Sequence, residues 1–322
     1  MSFKTKYEEI QIPLTTGIIA ACWYGKRNER PIMAMHGWQD NAGTFALLAP
    51  ELSQHVAILA IDLPGHGKSS HFPQGLVYHT LDYVRVIKEI MIYFKWAKIS
   101  LMGHSMSCAI IFHFTALFPE LVDMIVSIDV LHTRYFTLEQ QILTLNFCLE
   151  KFLTDTEHKQ KIDNSDAEPP IYTLAALENI MHEGSGKSVD LDKVKFILER
   201  NITPSKRQAN KYFFSRDGGI KYLLESYTEP ELTASMARRM RNIKWLVLKA
   251  QHSHHINEQN STTERVLKIL KENNPDFFFY IIPGVQHHCH LNNVEEMVKY
   301  ILPFVQKYRQ TEFFNYGDKS KL

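Results

Sequence analysis

Ser105 lies in the stretch Gly103-His104-Ser105-Met106-Ser107, between a strand-like and a helix-like segment. This pattern is typical of a nucleophile elbow, the tight turn that lifts a serine hydroxyl clear of a sheet so that it can attack a carbonyl. The usual pattern is G-x-S-x-G, and here Ser107 replaces the final glycine. Strand and helix backbones approach closely in such a turn, so the neighbouring residues must be small, and serine reduces the free space. The stretch predicts acyl transfer from an ester, thioester or similar carbonyl compound to water, with Ser105 as nucleophile.

Three histidines follow the last apolar strand-like run and compete for the role of general base. They are His287, His288 and His290. A serine is a weak nucleophile until a base takes its proton, and the base needs an acid that orients it. An oxyanion hole also needs backbone N–H donors, and the residue after the nucleophile, Met106, supplies one of them.

Composition and charge exclude several classes of protein. The chain has 322 residues and a formal net charge of +1, so no broad electrostatic field would attract nucleic acid or an anionic membrane. A hydrophobic share of 45% is typical of a globular protein with a substantial core. Neither a signal peptide nor an apolar run of about 18 residues is present, so we expect no membrane span. Four separated cysteines favour a reducing compartment: Cys22, Cys108, Cys148 and Cys289.

Short apolar runs alternate with longer helix-like segments, which predicts an α/β fold with a mostly parallel central sheet flanked by helices. The candidate strands are 18–24, 31–35, 56–61, 99–102, 124–128, 245–248 and 277–282. Segments 78–95 and 106–118 have apolar residues at helical spacing. The interval 131–241 lacks good strand candidates and looks helical. We therefore expect a helical cap at 131–241, inserted into a core formed by residues 1–130 and 242–310.

The C-terminal stretch 311–322 is polar and is expected to be a flexible tail. It ends in Ser320-Lys321-Leu322, the S-K-L tripeptide that peroxisomal import receptors bind at a free carboxyl end. This ending predicts peroxisomal localisation and an import receptor as a partner. The alternatives are a chance match and a cytoplasmic protein.

Two further stretches, together with the elbow and the histidine segment, resemble the α/β-hydrolase superfamily. The resemblance is closest to its serine-hydrolase-like (kraken-type) branch and covers about residues 15–130 and 242–306. It implies an α/β-hydrolase fold, a second oxyanion donor at the Trp38 N–H, and His287 as the catalytic base. His288 and His290 remain alternatives. The two stretches are His36-Gly37-Trp38-Gln39-Asp40-Asn41-Ala42-Gly43-Thr44-Phe45 and Asp62-Leu63-Pro64-Gly65-His66-Gly67-Lys68-Ser69.

The acid of the site is the least certain member. Superfamily members usually place an aspartate after the penultimate strand, but Ser253 occupies that position and no carboxylate follows until Glu258. Some relatives place the acid at the tip of the strand where Asp129 stands. We favour Asp129, and the alternatives are Glu258, an acid supplied from elsewhere, or a missing acid.

We expect a serine hydrolase acting on a small, apolar acyl substrate such as a carboxylic ester or thioester. The alternative is a catalytically weak or silent protein that binds a ligand or partner through the same pocket. Two histidine-rich stretches, 252–255 and 287–290, could bind zinc, but no H-E-x-x-H motif is present. We therefore expect neither a metal nor a cofactor.

Overall fold

The computed structural model describes residues 7–163, 168–226 and 229–309, and its centre is an eight-stranded sheet. The strands in chain order are β1 (Glu8–Leu14), β2 (Gly17–Tyr24), β3 (Ile32–Met35), β4 (Ile58–Ile61), β5 (Ile99–His104), β6 (Val122–Ile128), β7 (Ile202–Pro204), β8 (Tyr212–Phe214), β9 (Lys244–Ala250) and β10 (Phe277–Ile282). The order across the large sheet is β1-β2-β4-β3-β5-β6-β9-β10. From β4 to β10 all neighbours are parallel, whereas β2 is antiparallel to both β1 and β4. The predicted mostly parallel sheet is confirmed.

Helices cover both faces of this sheet. The α-helices in the described part of the chain are α1 (Leu48–Leu52), α2 (Thr80–Phe94), α3 (Met106–Leu117), α4 (Leu138–Asp163), α5 (Leu174–Gly184), α6 (Val194–Leu198), α7 (Pro230–Arg239), α8 (Ser261–Asn273), α9 (Cys289–Asn292) and α10 (Val294–Tyr308). Residues of α2, α3, α7 and α8 share one apolar core with the sheet, and α1 and α10 share the core on its other face. Double coverage explains why β3 and β4 are buried along their whole length.

The segment between β6 and β9 contains α4 to α7 and a small antiparallel sheet formed by β7 and β8. The sequence offered no strand candidates here, because strands of three residues are too short to leave a clear pattern. The last helix of the segment, α7, packs on the core, and Arg239 Nε donates to Ala116 O at 2.7 Å. The earlier part is attached by Arg200, whose Nη2 lies 2.7 Å from both Asp62 Oδ2 and Glu9 Oε1. The division into core and cap stays a prediction.

None of the helices within the described ranges is both long and apolar enough to cross a membrane. The predicted tail and its S-K-L ending (Ser320, Lys321 and Leu322) lie outside the described residues.

Candidate active site

The elbow at Ser105 joins the end of β5 directly to the start of α3. Ser105 has φ 54° and ψ −120°, a backbone conformation that L-residues adopt only under constraint. Gly103 makes this turn possible because any side chain there would collide with the helix. An added Cβ would lie 2.7 Å from Ile111 Cδ1 and 3.0 Å from Cys108 N. The strained turn holds the Ser105 side chain at the C-terminal edge of the parallel strands.

Ser107 fits into the elbow because its hydroxyl has a specific partner. The Ser107 Oγ–H donates to the carbonyl of His36, in the loop that follows β3. The same loop is held from the other side by the His36 ring. Its Nδ1 lies 2.7 Å from Gly37 O, and its Nε2 accepts from Leu63 N at 3.0 Å. Serine in place of the usual glycine thus connects the helix after the nucleophile to the predicted oxyanion loop.

The structure brings Ser105, His287 and Asp129 into one chain of hydrogen bonds. His287 Nε2 lies 2.9 Å from Ser105 Oγ, and His287 Nδ1 lies 2.6 Å from Asp129 Oδ2. A carboxylate accepts hydrogen bonds, so the network assigns the proton to Nδ1 and leaves Nε2 free to accept from the serine hydroxyl. The catalytic roles of these residues stay predictions.

Asp129 is held rigidly at the tip of β6. It has φ 62° and is fully buried, and its N–H donates to Leu248 O at 2.8 Å. Its Oδ1 accepts from Ala250 N at 2.8 Å, which leaves Oδ2 for His287. Asp129 therefore reaches across to the end of β9, the strand after which the superfamily usually places its acid.

The competing acid and base candidates have other partners. Glu258 pairs with Lys249, and Ser253 Oγ accepts from His255 N at 3.3 Å. His290 Nε2 lies 2.7 Å from Thr44 Oγ1, and His288 Nδ1 lies 2.7 Å from Ser188 Oγ. In the described part of the chain, the hydroxyl of Ser105 has a histidine contact only with His287.

The two predicted oxyanion donors come from different elements. Met106 is the first residue of α3, so its N–H has no intrahelical acceptor. Trp38 lies in the loop after β3, and its indole Nε1 donates to Ile220 O at 2.7 Å. This bond connects the loop to the inserted segment, although 51% of the Trp38 surface stays exposed. The oxyanion role of both N–H groups stays a prediction.

Sequence reasoning missed His255 as a neighbour of the site. Its ring centroid lies 4.1 Å from that of His287. Burial, with the nearby His287, lowers the pKa of His255 to about 4, so the ring is neutral at physiological pH and does not repel a protonated His287. The side chain had no signal of its own, because it belongs to a histidine-rich loop in which every member looks alike.

A cavity of about 440 Å³ opens beside His255. Its wall combines apolar side chains with polar and cationic ones. The apolar lining is Leu131, Tyr135, Phe136 and Ile256, and the polar lining includes Arg134, Gln140, His254 and Asn257.

Comparisons with known proteins give the same fold. A family model described as alpha/beta hydrolase fold matches residues 30–156. A protein named "Probable serine hydrolase" from Drosophila melanogaster is 32% identical over 312 residues, which cover 94% of this chain and 88% of that protein. "Serine hydrolase-like protein 2" from Homo sapiens is 27% identical over 311 residues, covering 92% of this chain and 94% of that protein.

Among solved structures, a hypothetical protein from Pseudomonas aeruginosa PAO1 superposes with a TM-score of 0.75 at 23% identity. The match covers 94% of this chain and 100% of that protein. At this level of identity the likeness concerns the fold alone.

Proposed function

This chain belongs to the serine-hydrolase-like branch of the α/β-hydrolase superfamily, and from that membership we propose that it is a serine hydrolase acting on carboxylic esters or thioesters. Its relatives support a hydrolase function in general. The observation that carries the finer proposal is the pair of contacts made by His287, 2.9 Å to Ser105 Oγ and 2.6 Å to Asp129 Oδ2. A loop histidine without a catalytic role would not be expected to contact both a strained serine and a buried carboxylate.

In the proposed first half-reaction, Ser105 Oγ attacks the substrate carbonyl carbon while His287 Nε2 takes the hydroxyl proton. The carbonyl electron pair moves onto oxygen, where the N–H groups of Trp38 and Met106 would donate to it. Asp129 accepts from Nδ1–H and stabilises the imidazolium. The tetrahedral intermediate then expels the alcohol or thiol, which receives the proton from His287, and an acyl-serine remains.

In the second half-reaction, water attacks the acyl carbon and His287 takes a proton from that water. The intermediate expels Ser105 Oγ, which regains its proton from His287, and the carboxylic acid leaves. Every proton in this cycle passes through Nε2, so the proposed reaction needs no cofactor.

For the substrate, we propose an acyl compound that carries both an apolar part and a polar end. The cavity beside His255 has apolar walls from Leu131, Tyr135 and Phe136, which suit a hydrocarbon chain. Arg134, which pairs with Glu225 at 3.2 Å, and Asn257 share that wall, and a wholly apolar occupant would remove water from their remaining polar atoms. A terminal carboxylate, hydroxyl or amide on the substrate would replace that water.

The nucleophile is tested with a fluorophosphonate probe on three purified proteins. Wild type and Ser253→Ala should be labelled, whereas Ser105→Ala should not. Ser253→Ala is the matched control, since it removes another serine from a loop close to the site. Equal labelling of wild type and Ser105→Ala would refute the proposal. It would favour the alternative, a protein that binds a ligand without catalysing its hydrolysis. A panel of aliphatic esters and thioesters, with and without a terminal carboxylate, then tests the substrate.

A further inference from the structure

Three electron-pair acceptors converge beside the nucleophile elbow, from Asp40, His104 and His288. One ligand atom from each lies within 4.8 Å of the other two. Asp40 comes from the loop after β3, His104 is the last residue of β5, and His288 follows β10. Asp40 and His104 are buried, and the His288 side chain is only 12% exposed. Because the three residues are far apart in the chain, sequence spacing gave no sign of this cluster.

His104 presents a lone pair to the cluster. Its Nε2 lies 3.0 Å from the carbonyl oxygen of His287. A carbonyl only accepts, so the network assigns the ring proton to Nε2. Nδ1 is then an acceptor, and within the described residues this buried atom has no hydrogen-bond partner.

His288 presents a second lone pair. Its Nδ1 lies 2.7 Å from Ser188 Oγ, and that hydroxyl donates to Ser185 O at 2.7 Å. The hydroxyl has one proton, so His288 Nδ1 must be the donor to Ser188 Oγ. The remaining nitrogen, Nε2, is an acceptor and lies 3.9 Å from Asp40 Oδ2.

Asp40 supplies the third acceptor. Its Oδ1 accepts from Asn41 N at 2.8 Å, whereas the buried Oδ2 has no hydrogen-bond partner among the described residues. Burial raises the pKa of Asp40 to about 7, against smaller opposing effects of the hydrogen bond from Asn41 and of the nearby Thr44 hydroxyl. Burial lowers the pKa of both His104 and His288 well below the usual value, so both rings are neutral. Three inward-facing acceptors are an unstable arrangement unless a cation or a shared proton joins them.

We propose that Asp40 Oδ2, His104 Nδ1 and His288 Nε2 bind a zinc ion. One carboxylate and two neutral imidazoles form a donor set that Zn²⁺ favours, with a fourth position left for water. Zinc bonds of about 2.1 Å place tetrahedral ligand atoms about 3.4 Å apart. The 3.9 Å separation of Asp40 and His288 would contract slightly, and the pairs with His104, which lie within 4.8 Å, would contract further.

Two features of the surroundings suit a metal. Each imidazole donates its other N–H, His104 to a backbone carbonyl and His288 to Ser188 Oγ, as metal-binding histidines generally do. Gly37 keeps the space beside His104 open, since an added Cβ would lie 3.0 Å from Nδ1.

The ion would join the three segments that position the reacting groups. Asp40 follows Trp38, His104 precedes Ser105, and His288 follows His287. We therefore assign the zinc ion a structural role, which is measured as an increase in thermal stability when zinc binds. The inference does not rest on the proposed hydrolase activity.

The test uses full-length protein treated with EDTA and dialysed. Wild type should bind one Zn²⁺ per chain, and Co²⁺ in its place should give the visible absorption of a tetrahedral site. At a Zn²⁺ concentration a hundredfold above Kd, Tm should rise by about 5 °C. His254→Gln, which removes an exposed imidazole outside the cluster, is the matched control and should respond like wild type.

The decisive variants are Asp40→Asn and His288→Gln, and both should lose the bound metal and the rise in Tm. Asp40→Asn should fold at least as stably as metal-free wild type, because its amide NH₂ can donate to the facing lone pairs. Absence of Zn²⁺ uptake by wild type would overturn the proposal and indicate a proton shared by Asp40 and the histidines. Retention of stoichiometric Zn²⁺ by both variants would also overturn it.

Discussion

Replacement of Asp129 by asparagine tests the proposed relay most directly. Asparagine has the same shape, and it tolerates the positive φ of 62° at this position. Its amide oxygen can still accept from Ala250 N, as Asp129 Oδ1 does at 2.8 Å. The amide NH₂ then occupies the place of Oδ2 and faces His287 Nδ1. We therefore expect Asp129→Asn to fold with the same backbone.

The chemical consequence follows from the 2.6 Å contact between Asp129 Oδ2 and His287 Nδ1. An NH₂ group at that distance is accommodated only when Nδ1 carries the lone pair, so the ring proton moves to Nε2. Nε2–H then donates toward Ser105 Oγ and can no longer take its proton. In the serine-protease triad the equivalent change lowers kcat about 10⁴-fold, which is about 5 kcal/mol of transition-state stabilisation. We expect a loss of that size here.

The assay is hydrolysis of a p-nitrophenyl ester, with kcat and KM measured separately. Glu258→Gln is the matched control, because it neutralises the competing carboxylate, which pairs with Lys249 instead. Its kcat should stay within about twofold of wild type, because the Glu258 carboxylate pairs with Lys249 and not with His287. A kcat for Asp129→Asn within tenfold of wild type would remove Asp129 from the relay. A large loss in Glu258→Gln would assign the acid role to Glu258.

Four further predictions concern the supports of the site and the tail. Ser107→Gly restores the usual motif, yet it should lower the free energy of unfolding in urea by about 1–2 kcal/mol, because the hydrogen bond to the His36 carbonyl is lost. Burial lowers the pKa of His36 to about 4 in the folded protein, whereas the pKa of an unfolded histidine is about 6.5. Between pH 6.5 and pH 4 the unfolded state therefore binds more protons than the folded state. The free energy of unfolding consequently falls as the pH drops through this range. Between pH 7.5 and 5, urea unfolding of wild type should lose about 2 kcal/mol more than His36→Gln does. Arg200→Met leaves Asp62 charged and buried without its cation, so it should lower the free energy of unfolding by about 3–5 kcal/mol. We propose peroxisomal localisation from residues 311–322, so a fluorescent protein that carries them should give punctate peroxisomal signal, and diffuse signal would contradict the assignment.

The sequence predicted the inner sheet well because buried parallel strands consist of short continuous apolar runs. All seven candidate strands are present, with bounds within about two residues of those predicted. The edge strand β1 was missed because Glu8, Glu9 and Gln11 interrupt its apolar residues, and its burial depends on pairing with β2. A strand that is half exposed becomes recognisable only once its partner is known.

The site was predictable where its residues lie in contiguous motifs and uncertain where distant segments meet. Ser105 has a motif of its own, and His287 could be selected by resemblance. Asp129 could not be separated from Glu258 on residue type, since the choice depends on which carboxylate faces the histidine. The partner of Ser107, the packing of the His255 ring against His287 and the acceptor cluster around Asp40 all depend on contacts between remote segments, which spacing along one chain does not encode.

The acid on β6 is geometrically equivalent to the usual acid after β9 because the two strands are parallel neighbours. Parallel strands end at the same edge of the sheet, so a carboxylate at either tip can reach the base that follows the last strand. Asp129 shows this equivalence directly, because it is hydrogen-bonded to β9 at two points. Its backbone N–H donates to Leu248 O, and its Oδ1 accepts from Ala250 N. The position after β9 is thereby free of the acid, and its loop contributes His255, which packs on His287 instead. An acid on β6 instead of after β9 therefore keeps the chain of hydrogen bonds from carboxylate to imidazole to serine. It changes the neighbours of His287, because the loop after β9 now contributes His255.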